Sequence, residues 1–458
     1  MNLKNTLTAL TAALLLGLFS CEKLIETDWP NNQISTVQVF EDVQTANAAL
    51  AGLYGGLWNS SPLSGGSDGM GAVLGTYTDD LKCYYPTSSN GILDIYLNQQ
   101  LPTNLMVEKV WGTGYQYIYA ANAIMEGAEK SLSLGSADKK RIKGEALFVR
   151  SVLYYSLQRI YGDIPYTETT DYEINRQLKK QPGTEVLTKL ETDLSLSTQL
   201  LEDAYRSPER IYPNRKAAAL VLAKVKAELG KWTEAELLLK DIGQSSLYTF
   251  EQDLTKVFTK SRLHILWQLK PKNSGDATKE ATLYYFTNAV PTAFALTPQL
   301  VGAFAPGDLR RQEWMVPVTA SAQTFYRAAK YKVRSANTTE YSVVYRLEEV
   351  YLLLAEALIR QGKVGEALPW LNATRQRAGL PALALPLTQN EALTELENEY
   401  RREFFAEGGQ RFLTLKRLGK LGNLTAVKPN WQVHHSLWPL PQKELLLNTN
   451  LNPQNPGY

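Results

Sequence analysis

Cysteine and histidine are scarce in this sequence of 458 residues, which holds two cysteines and three histidines. Two cysteines are too few for a disulfide framework, and three histidines leave little material for a multi-histidine metal centre. An excess of charge of one sign is also missing, because 48 basic residues face 46 acidic residues. The resulting charge of +2 provides no field that would hold nucleic acid or an anionic membrane. We therefore expect no metal, no cofactor and no nucleic-acid partner.

No hydrophobic run reaches the about 20 residues that a membrane-spanning helix needs. The run from Leu7 to Phe19 has 13 residues and follows a start whose one charge is Lys4. A short basic start and a short apolar middle are typical of a secretory signal peptide. The run ends in Leu18-Phe19-Ser20-Cys21, which resembles the lipobox of bacterial lipoproteins. We predict a signal peptide over residues 1–20 and lipidation of Cys21; an ordinary signal peptide with an incidental cysteine is the alternative.

Lipidation of Cys21 would leave Cys83 without a partner for a disulfide bond. We therefore predict that Cys83 is a small buried hydrophobic residue.

Apolar residues recur three or four positions apart in most of the remaining chain, which is typical of α-helices. The pattern predicts helices over 36–58, 108–130 and 137–161, and a capping box at Thr388 predicts another that runs to Glu407. Two stretches rich in Ser, Gly, Pro and Tyr break the pattern, and we call residues 59–105 the first window and residues 246–340 the second window. Short strands are predicted in the second window at Ile265–Leu269 and Leu283–Phe286.

A motif of the form Ala-x6-Gly-x4-Ala occurs twice, starting at Ala223 and at Ala355. Both copies share Gly-Lys-x-x-Glu-Ala and have an apolar run on either side, a spacing that resembles the helix pair of tetratricopeptide repeats. The predicted fold is mainly α, a tetratricopeptide-like scaffold of helical hairpins with irregular loop-rich segments and a few short strands. Such scaffolds bind partners, although plain core packing explains the motif residues individually.

The sequence contains patterns that resemble catalytic motifs, but the residues around them do not suit a catalytic site. Residues 65–69 satisfy Gly-x-Ser-x-Gly, but a nucleophile elbow needs a buried strand before it, and this stretch is polar and rich in glycine. His434 and His435 are predicted to be a solvent-facing loop pair. A further charged cluster is predicted to be a salt-bridged helix surface and consists of Glu399, Arg401, Arg402, Glu403 and Glu407. A pair of carboxylates acting as a glycosidase is not excluded by counting acidic residues.

Four blocks of the sequence resemble the SusD/RagB family, the nutrient-binding lipoproteins of Bacteroidetes-type outer membranes. The resemblance covers nearly the whole mature chain, and the last two blocks are the more specific. Gly408 and Thr414 depart from it, because the family usually has acidic residues there. The blocks are Val39-Phe40-Glu41-Asp42 with Gly52-Leu53-Tyr54, Gly144 to Ser151 with Tyr161-Gly162-Asp163-Ile164-Pro165, Tyr351 to Ala357 with Leu371 to Gly379, and Trp438-Pro439-Leu440-Pro441 with Gln454 to Tyr458.

The resemblance implies one SusD-like substrate-binding domain over 21–458, with an N-terminal part to about residue 230 and a C-terminal part from about residue 231. It implies no enzymatic activity, a lipid anchor, exposure at the surface of the outer membrane, and a SusC-like TonB-dependent transporter as partner. The ligand would be an oligosaccharide or a peptide, bound by variable loops. Two rival functions remain open, a helical-repeat lipoprotein that assembles proteins without binding a small ligand, and a lipid-anchored polysaccharide hydrolase.

Aromatic residues in loops are the best candidates for ligand contacts, since the apolar face of a sugar ring stacks on a flat phenol or indole. We expect the two windows to meet on one face and line the ligand site. The candidates in the first window are Tyr77, Asp79, Tyr84, Tyr85 and Tyr96, and those in the second window are Arg310, Trp314, Phe325, Tyr326 and Tyr331.

Overall fold

The computed structural model describes residues 39–89 and 91–458. The predicted signal peptide, residues 1–20, and the predicted lipidation site Cys21 lie outside the described residues. Within these two ranges, no helix combines the length and apolar character needed to cross a membrane.

Helices dominate the secondary structure. They are α1 (Val43–Asn59), α2 (Met70–Tyr77), α3 (Ile92–Leu97), α4 (Leu105–Lys130), α5 (Ser136–Tyr161), α6 (Tyr172–Asn175), α7 (Gly183–Leu200), α8 (Arg215–Glu228), α9 (Trp232–Gly243), α10 (Lys279–Leu283), α11 (Pro298–Gly302), α12 (Leu309–Glu313), α13 (Leu347–Arg360), α14 (Val364–Arg377), α15 (Gln389–Phe404), α16 (Gln410–Arg417) and α17 (Gln442–Leu447). The strands are β1 (Leu81–Cys83), β2 (Ile265–Leu269), β3 (Phe294–Leu296), β4 (Met315–Ala320), β5 (Gln323–Ala328) and β6 (Ser342–Arg346).

The long helices begin where side chains cap them. Asp42 accepts hydrogen bonds from two backbone N–H groups at the start of α1, and Asn104 does the same for α4. At α15 the predicted capping box is present, because Thr388 and Glu391 each bind the other's backbone N–H. The helices predicted from periodicity are thus confirmed in the described residues. Helices α4 and α5 begin within three residues of the predicted starts, α1 begins at Val43 rather than at residue 36, and α15 ends at Phe404 before the predicted Glu407.

Consecutive helices stack into an array. Helix α5 packs against both α4 and α7, and α8 and α9 form a hairpin that packs on a second hairpin made by α13 and α14. The predicted turn glycines Gly230 and Gly362 have φ of +74° and +77°, a left-handed conformation that costs glycine little. Both repeats of the sequence motif are therefore helical hairpins, and the predicted fold class is confirmed.

The two windows meet in one antiparallel sheet of strand order β1-β3-β5-β4. Strand β1 comes from the first window and pairs with β3 of the second window through Lys82 and Ala295. Strand β3 in turn pairs with β5 where Leu296 lies opposite Tyr326. The sheet therefore fixes the two windows against each other.

The strand predicted at Ile265–Leu269 is confirmed as β2, which pairs with β6. The strand predicted at Leu283–Phe286 is wrong. The chain there ends the short helix α10, because the Thr278 hydroxyl accepts a hydrogen bond from the Ala281 N–H and starts a helical turn.

The charged cluster on α15 is buried, which corrects the predicted salt-bridged surface. Glu403 is fully buried and lies 3.0 Å from Arg310, 2.6 Å from Arg346 and 2.5 Å from Arg377. Three arginines from three separate elements thus converge on one carboxylate. Their attraction outweighs the effect of burial and holds the pKa of Glu403 well below its usual range.

On the opposite flank of α15, Arg401 lies 2.9 Å from Asp79 and 3.0 Å from Asp80. Both aspartates belong to the first window, whereas Arg310 belongs to the second. The charges of α15 therefore hold both windows to the helical array.

We expect Glu403→Ala to lower the free energy of unfolding by about 3–5 kcal/mol, since it leaves buried guanidiniums without their shared carboxylate. Urea denaturation of the purified protein measures the change. Glu395→Ala is the matched control, because the Glu395 side chain is 35% exposed, lies 3.4 Å from Arg375 and should contribute less than about 1 kcal/mol. Equal small losses in the two variants would contradict the role assigned to Glu403.

Candidate functional site

Aromatic side chains lie on both faces of the four-stranded sheet, and Tyr84 and Phe325 share one of them. Neighbouring residues of a strand point to opposite faces, so Lys82 and Tyr84 share a face. The Tyr84 ring packs edge-on against Phe325 of β5, with 5.9 Å between the ring centroids. We call the face that holds Tyr84 and Phe325 the outer face.

Tyr84, Tyr85 and Tyr96 gather around the end of β1, and each is half-buried. Burial raises the pKa of all three phenols, and the neighbouring Tyr96 adds to the rise at Tyr84. Cys83 lies among them and is buried, as predicted, with 6% of its surface exposed. The three rings are held in place while part of each remains open to solvent.

Cations lie over these rings. The Lys82 ammonium is 5.1 Å from the centroid of Tyr84, and the Lys428 ammonium is 4.2 Å from the centroid of Tyr96. Lys428 also donates hydrogen bonds to the carbonyls of Thr76 and Tyr96, which ties the C-terminal segment to the first window.

Tyr85 borders an open depression of about 590 Å³. Its ring packs edge-on against the buried Phe294, with 5.5 Å between centroids. The other walls carry Asp68, Lys109 and Lys279. The Asp68 carboxylate lies 3.4 Å from the Lys109 ammonium. An aromatic edge with polar groups around it is the arrangement that a sugar requires, since its hydroxyls need donors and acceptors.

A residue that sequence reasoning missed extends the outer face. Tyr285 is half-buried and lies in a groove of about 330 Å³ at the far end of β5. The sequence analysis assigns Leu283–Phe286 to a strand, and Tyr285 is therefore not among the predicted ligand contacts. Its position in the second window, beside other aromatic residues, was the signal that could have identified it.

Three aromatic candidates lie inside the fold. The Tyr77 hydroxyl donates to the carbonyl of His435, and its ring packs against Trp431. The Trp314 indole is 1% exposed and donates to the carbonyl of Leu254. Tyr331 is buried, and its hydroxyl accepts from a backbone N–H of β6. These contacts account for the three rings, and we remove them from the candidate site.

The two charged candidates are anchors. Asp79 is bound by Arg401 and by Arg411, 2.9 and 2.8 Å away; burial alone would raise its pKa, but the two guanidiniums lower it. Arg310 has no exposed surface and is bound by Asp308 and Glu399 as well as by Glu403. Their charges are already neutralised by partners, so they too leave the candidate site.

The two candidates on β5 are separated by the pleat of the strand. Phe325 points to the outer face but is buried, with 7% of its surface exposed, so it supports Tyr84 from below. Tyr326 is half-buried and points to the opposite face, where the Arg311 guanidinium lies 5.9 Å from its ring. Tyr84 therefore shares the outer face with Phe325, and Tyr96 lies close to Tyr84. Tyr85, the next residue after Tyr84, packs against Phe294 on the opposite face at the same edge of the sheet.

The structure does not place the motif at residues 65–69 or the histidine pair in the arrangement that catalysis would need. Residues 65–69 form bends that lead into α2, and no strand precedes them in the described chain. The histidine pair is not a solvent-facing loop, because it lies in a 3₁₀ turn where His435 is buried and accepts a hydrogen bond from the Gln432 N–H. In residues 39–89 and 91–458, no group of three or more His, Cys, Asp and Glu side chains is arranged to hold a metal ion.

Comparison with known proteins matches two parts of the chain to related family models. One, described as "Starch-binding associating with outer membrane", matches residues 71–226, and the SusD family model matches residues 318–458. SusD-like protein P2 of Formosa agariphila is 28% identical over 419 residues, covering 78% of this chain and 81% of its own length.

Solved structures show the same fold. A SusD superfamily protein from Bacteroides vulgatus superposes with a TM-score of 0.78 at 19% identity, covering 92% of this chain and all of the other. Surface glycan-binding protein A from Bacteroides thetaiotaomicron, in complex with laminarihexaose, gives a TM-score of 0.76 at 16% identity over 90% of this chain and 99% of the other.

The position of Lys428 predicts a pH dependence of stability. Burial lowers the pKa of Lys428 to about 7, although the charge of Asp79 and the nearby Cys83 oppose the shift. In the unfolded chain a lysine keeps its proton to about pH 10, so between these values the unfolded state binds more protons. The free energy of unfolding therefore rises with pH in this window.

We expect the wild-type protein to gain about 1–2 kcal/mol over Lys428→Met between pH 7 and pH 9. Urea denaturation at the two pH values measures this difference. Lys443→Met is the control, because Lys443 is 64% exposed and pairs with Glu108 at the surface. A stability difference that stays constant with pH would show that Lys428 remains charged throughout.

Proposed function

The chain belongs to the SusD/RagB family, and from that premise we propose that it is a glycan-binding protein of the outer membrane. It captures an oligosaccharide outside the cell and passes it to a TonB-dependent transporter of the SusC type. It performs no chemistry on the glycan. A peptide is the second ligand class that this type of site accommodates.

The observation that carries the proposal is the group of half-buried tyrosines Tyr84, Tyr85 and Tyr96 at the edge of the sheet. Each ring is fixed by its neighbours, so little conformational entropy is lost when a ligand binds. The apolar face of a sugar ring packs on such a phenol, and the surrounding ammonium and carboxylate groups supply hydrogen bonds to the hydroxyls.

The relatives support a glycan as the ligand class. Among proteins of the same fold, one is described as a laminarin-binding SusD-like protein, and another was solved with laminarihexaose. In this chain, the sheet that joins the two windows provides a rigid support for the corresponding contacts.

Attachment to the outer membrane completes the proposal. The predicted signal peptide and the lipobox that ends at Cys21 supply an anchor, and the family supplies the transporter as partner. A helical-repeat scaffold without a small ligand would require neither the clustered tyrosines nor a barrel transporter.

We expect Tyr84→Ala to weaken glycan binding about five- to tenfold, which corresponds to about 1–1.4 kcal/mol, because it removes one stacking surface and the support for Phe325. Titration calorimetry against the best ligand from a screen of neutral and charged oligosaccharides and of peptides measures the affinity. Tyr172→Ala is the matched control, since Tyr172 is 72% exposed and remote from the sheet in the chain. Unchanged affinity in both Tyr84→Ala and Tyr85→Ala would refute the placement of the site.

We expect Cys21→Ser to release the protein from the membrane fraction into the soluble fraction, because no other segment offers an anchor in the sequence. Fractionation of cells and metabolic labelling with a fatty-acid analogue measure the change. Cys83→Ser is the control and should stay labelled. Labelling that persists in Cys21→Ser would contradict the anchor.

A further inference from the structure

The groove beside Tyr285 holds two arginines that share one ring. The Arg334 guanidinium lies 3.4 Å from the centroid of Tyr285, and the Arg327 guanidinium lies 4.3 Å from it. The two cations are therefore within about 8 Å of each other, a separation at which like charges repel.

Neither arginine has an ion-pair partner in the described part of the chain. The one carboxylate that lines the groove, Glu313, already lies 3.7 Å from Lys332. The Nε atom of Arg327 is buried and has no hydrogen-bond partner among the described residues. Arg327 is half-buried and Arg334 is exposed, and no carboxylate of the described residues neutralises either charge.

This arrangement differs from that of two fully buried arginines, Arg310 in the second window and Arg346 just after it. Arg310 and Arg346 are each neutralised by two or more carboxylates. Arg327 and Arg334 instead face a groove of about 330 Å³ with no carboxylate partner among the described residues. An anion in the groove would remove the repulsion and satisfy the Nε donor of Arg327.

The groove continues the outer face of the sheet. Phe325 and Arg327 are two positions apart on β5, so their side chains point the same way about 7 Å apart. Tyr84 packs on Phe325, and Arg327 stacks on Tyr285. A ligand that stacks on Tyr84 can therefore reach the two guanidiniums with its next units.

We propose that the Arg327–Tyr285–Arg334 groove binds the anionic group of a charged glycan, a uronate carboxylate or a sulfate ester. This inference rests on the proposed glycan-binding function and names the substrate class. Guanidinium groups suit the role, because their planar donor forks match the oxygens of carboxylate and sulfate, and Tyr285 provides a stacking surface for the ring that carries them.

The test compares charged oligosaccharides with their neutral counterparts. The probes are polygalacturonate oligosaccharides before and after reduction of their carboxyl groups to alcohols, and sulfated galactan oligosaccharides before and after desulfation. Titration calorimetry with the wild-type protein should give at least tenfold tighter binding of the charged member of one pair. The pair that discriminates tells carboxylate from sulfate.

The double variant Arg327→Gln/Arg334→Gln should bind the charged and neutral members within about twofold of each other, which is loss of about 1 kcal/mol or more of discrimination. Its affinity for the neutral member should fall by less than its affinity for the charged member. The control is Arg311→Gln, which removes a cation stacked on Tyr326 outside the groove and should keep the discrimination. Circular dichroism melting checks that each variant is folded.

Equal affinity of the wild-type protein for charged and neutral members would overturn the inference and leave the proposed function standing, provided that Tyr84→Ala still weakens binding. Discrimination that survives in the double variant would overturn it as well. Absence of binding to every oligosaccharide in the panel would overturn both the inference and the proposed function.

Discussion

The buried charges of α15 hold the molecule's two loop windows in place. Glu403 is fully buried and forms ion pairs with three arginines. Arg401, on the same helix, forms ion pairs with two aspartates of the first window. Removing a charge from water costs several kcal/mol unless partners surround it completely. The network is therefore stable only when every partner is present, and it allows the windows one arrangement relative to the helices.

This constraint separates the tasks of the charged and aromatic residues. The charges of Asp79 and Arg310 are neutralised by internal ion pairs, which hold the two windows to the helical array. The outer face of the sheet carries Tyr84, Phe325 and Arg327. A scaffold of this kind can change its ligand by exchanging outer-face residues, because the interior that positions them does not depend on their identity.

Much of the fold could be predicted from the sequence, because its signals are local. Apolar spacing, the capping box at Thr388 and the glycines of the two hairpin turns each lie within a few residues of the structure that they specify. The burial of the α15 charges could not be predicted in this way. A helix with alternating Glu and Arg looks the same whether water or distant residues neutralise it, and Arg310 lies 89 positions from Glu399.

Only part of the candidate site could be predicted, because contacts between residues distant in the sequence decide which aromatic side chains are buried. Tyr77 and Tyr84 both lie in the first window, yet Tyr77 ends a helix that packs into the core, while Tyr84 follows an edge strand. Phe325 and Tyr326 are neighbours, and the register of β5 decides which of them reaches the outer face. That register follows from β4, which begins directly after α12, the helix that carries Arg310. Arg310 is fixed by Glu399 and Glu403, so the buried charges of α15 anchor the chain just before β4. The register between β4 and β5 then sets which side chains of β5 share a face with Tyr84.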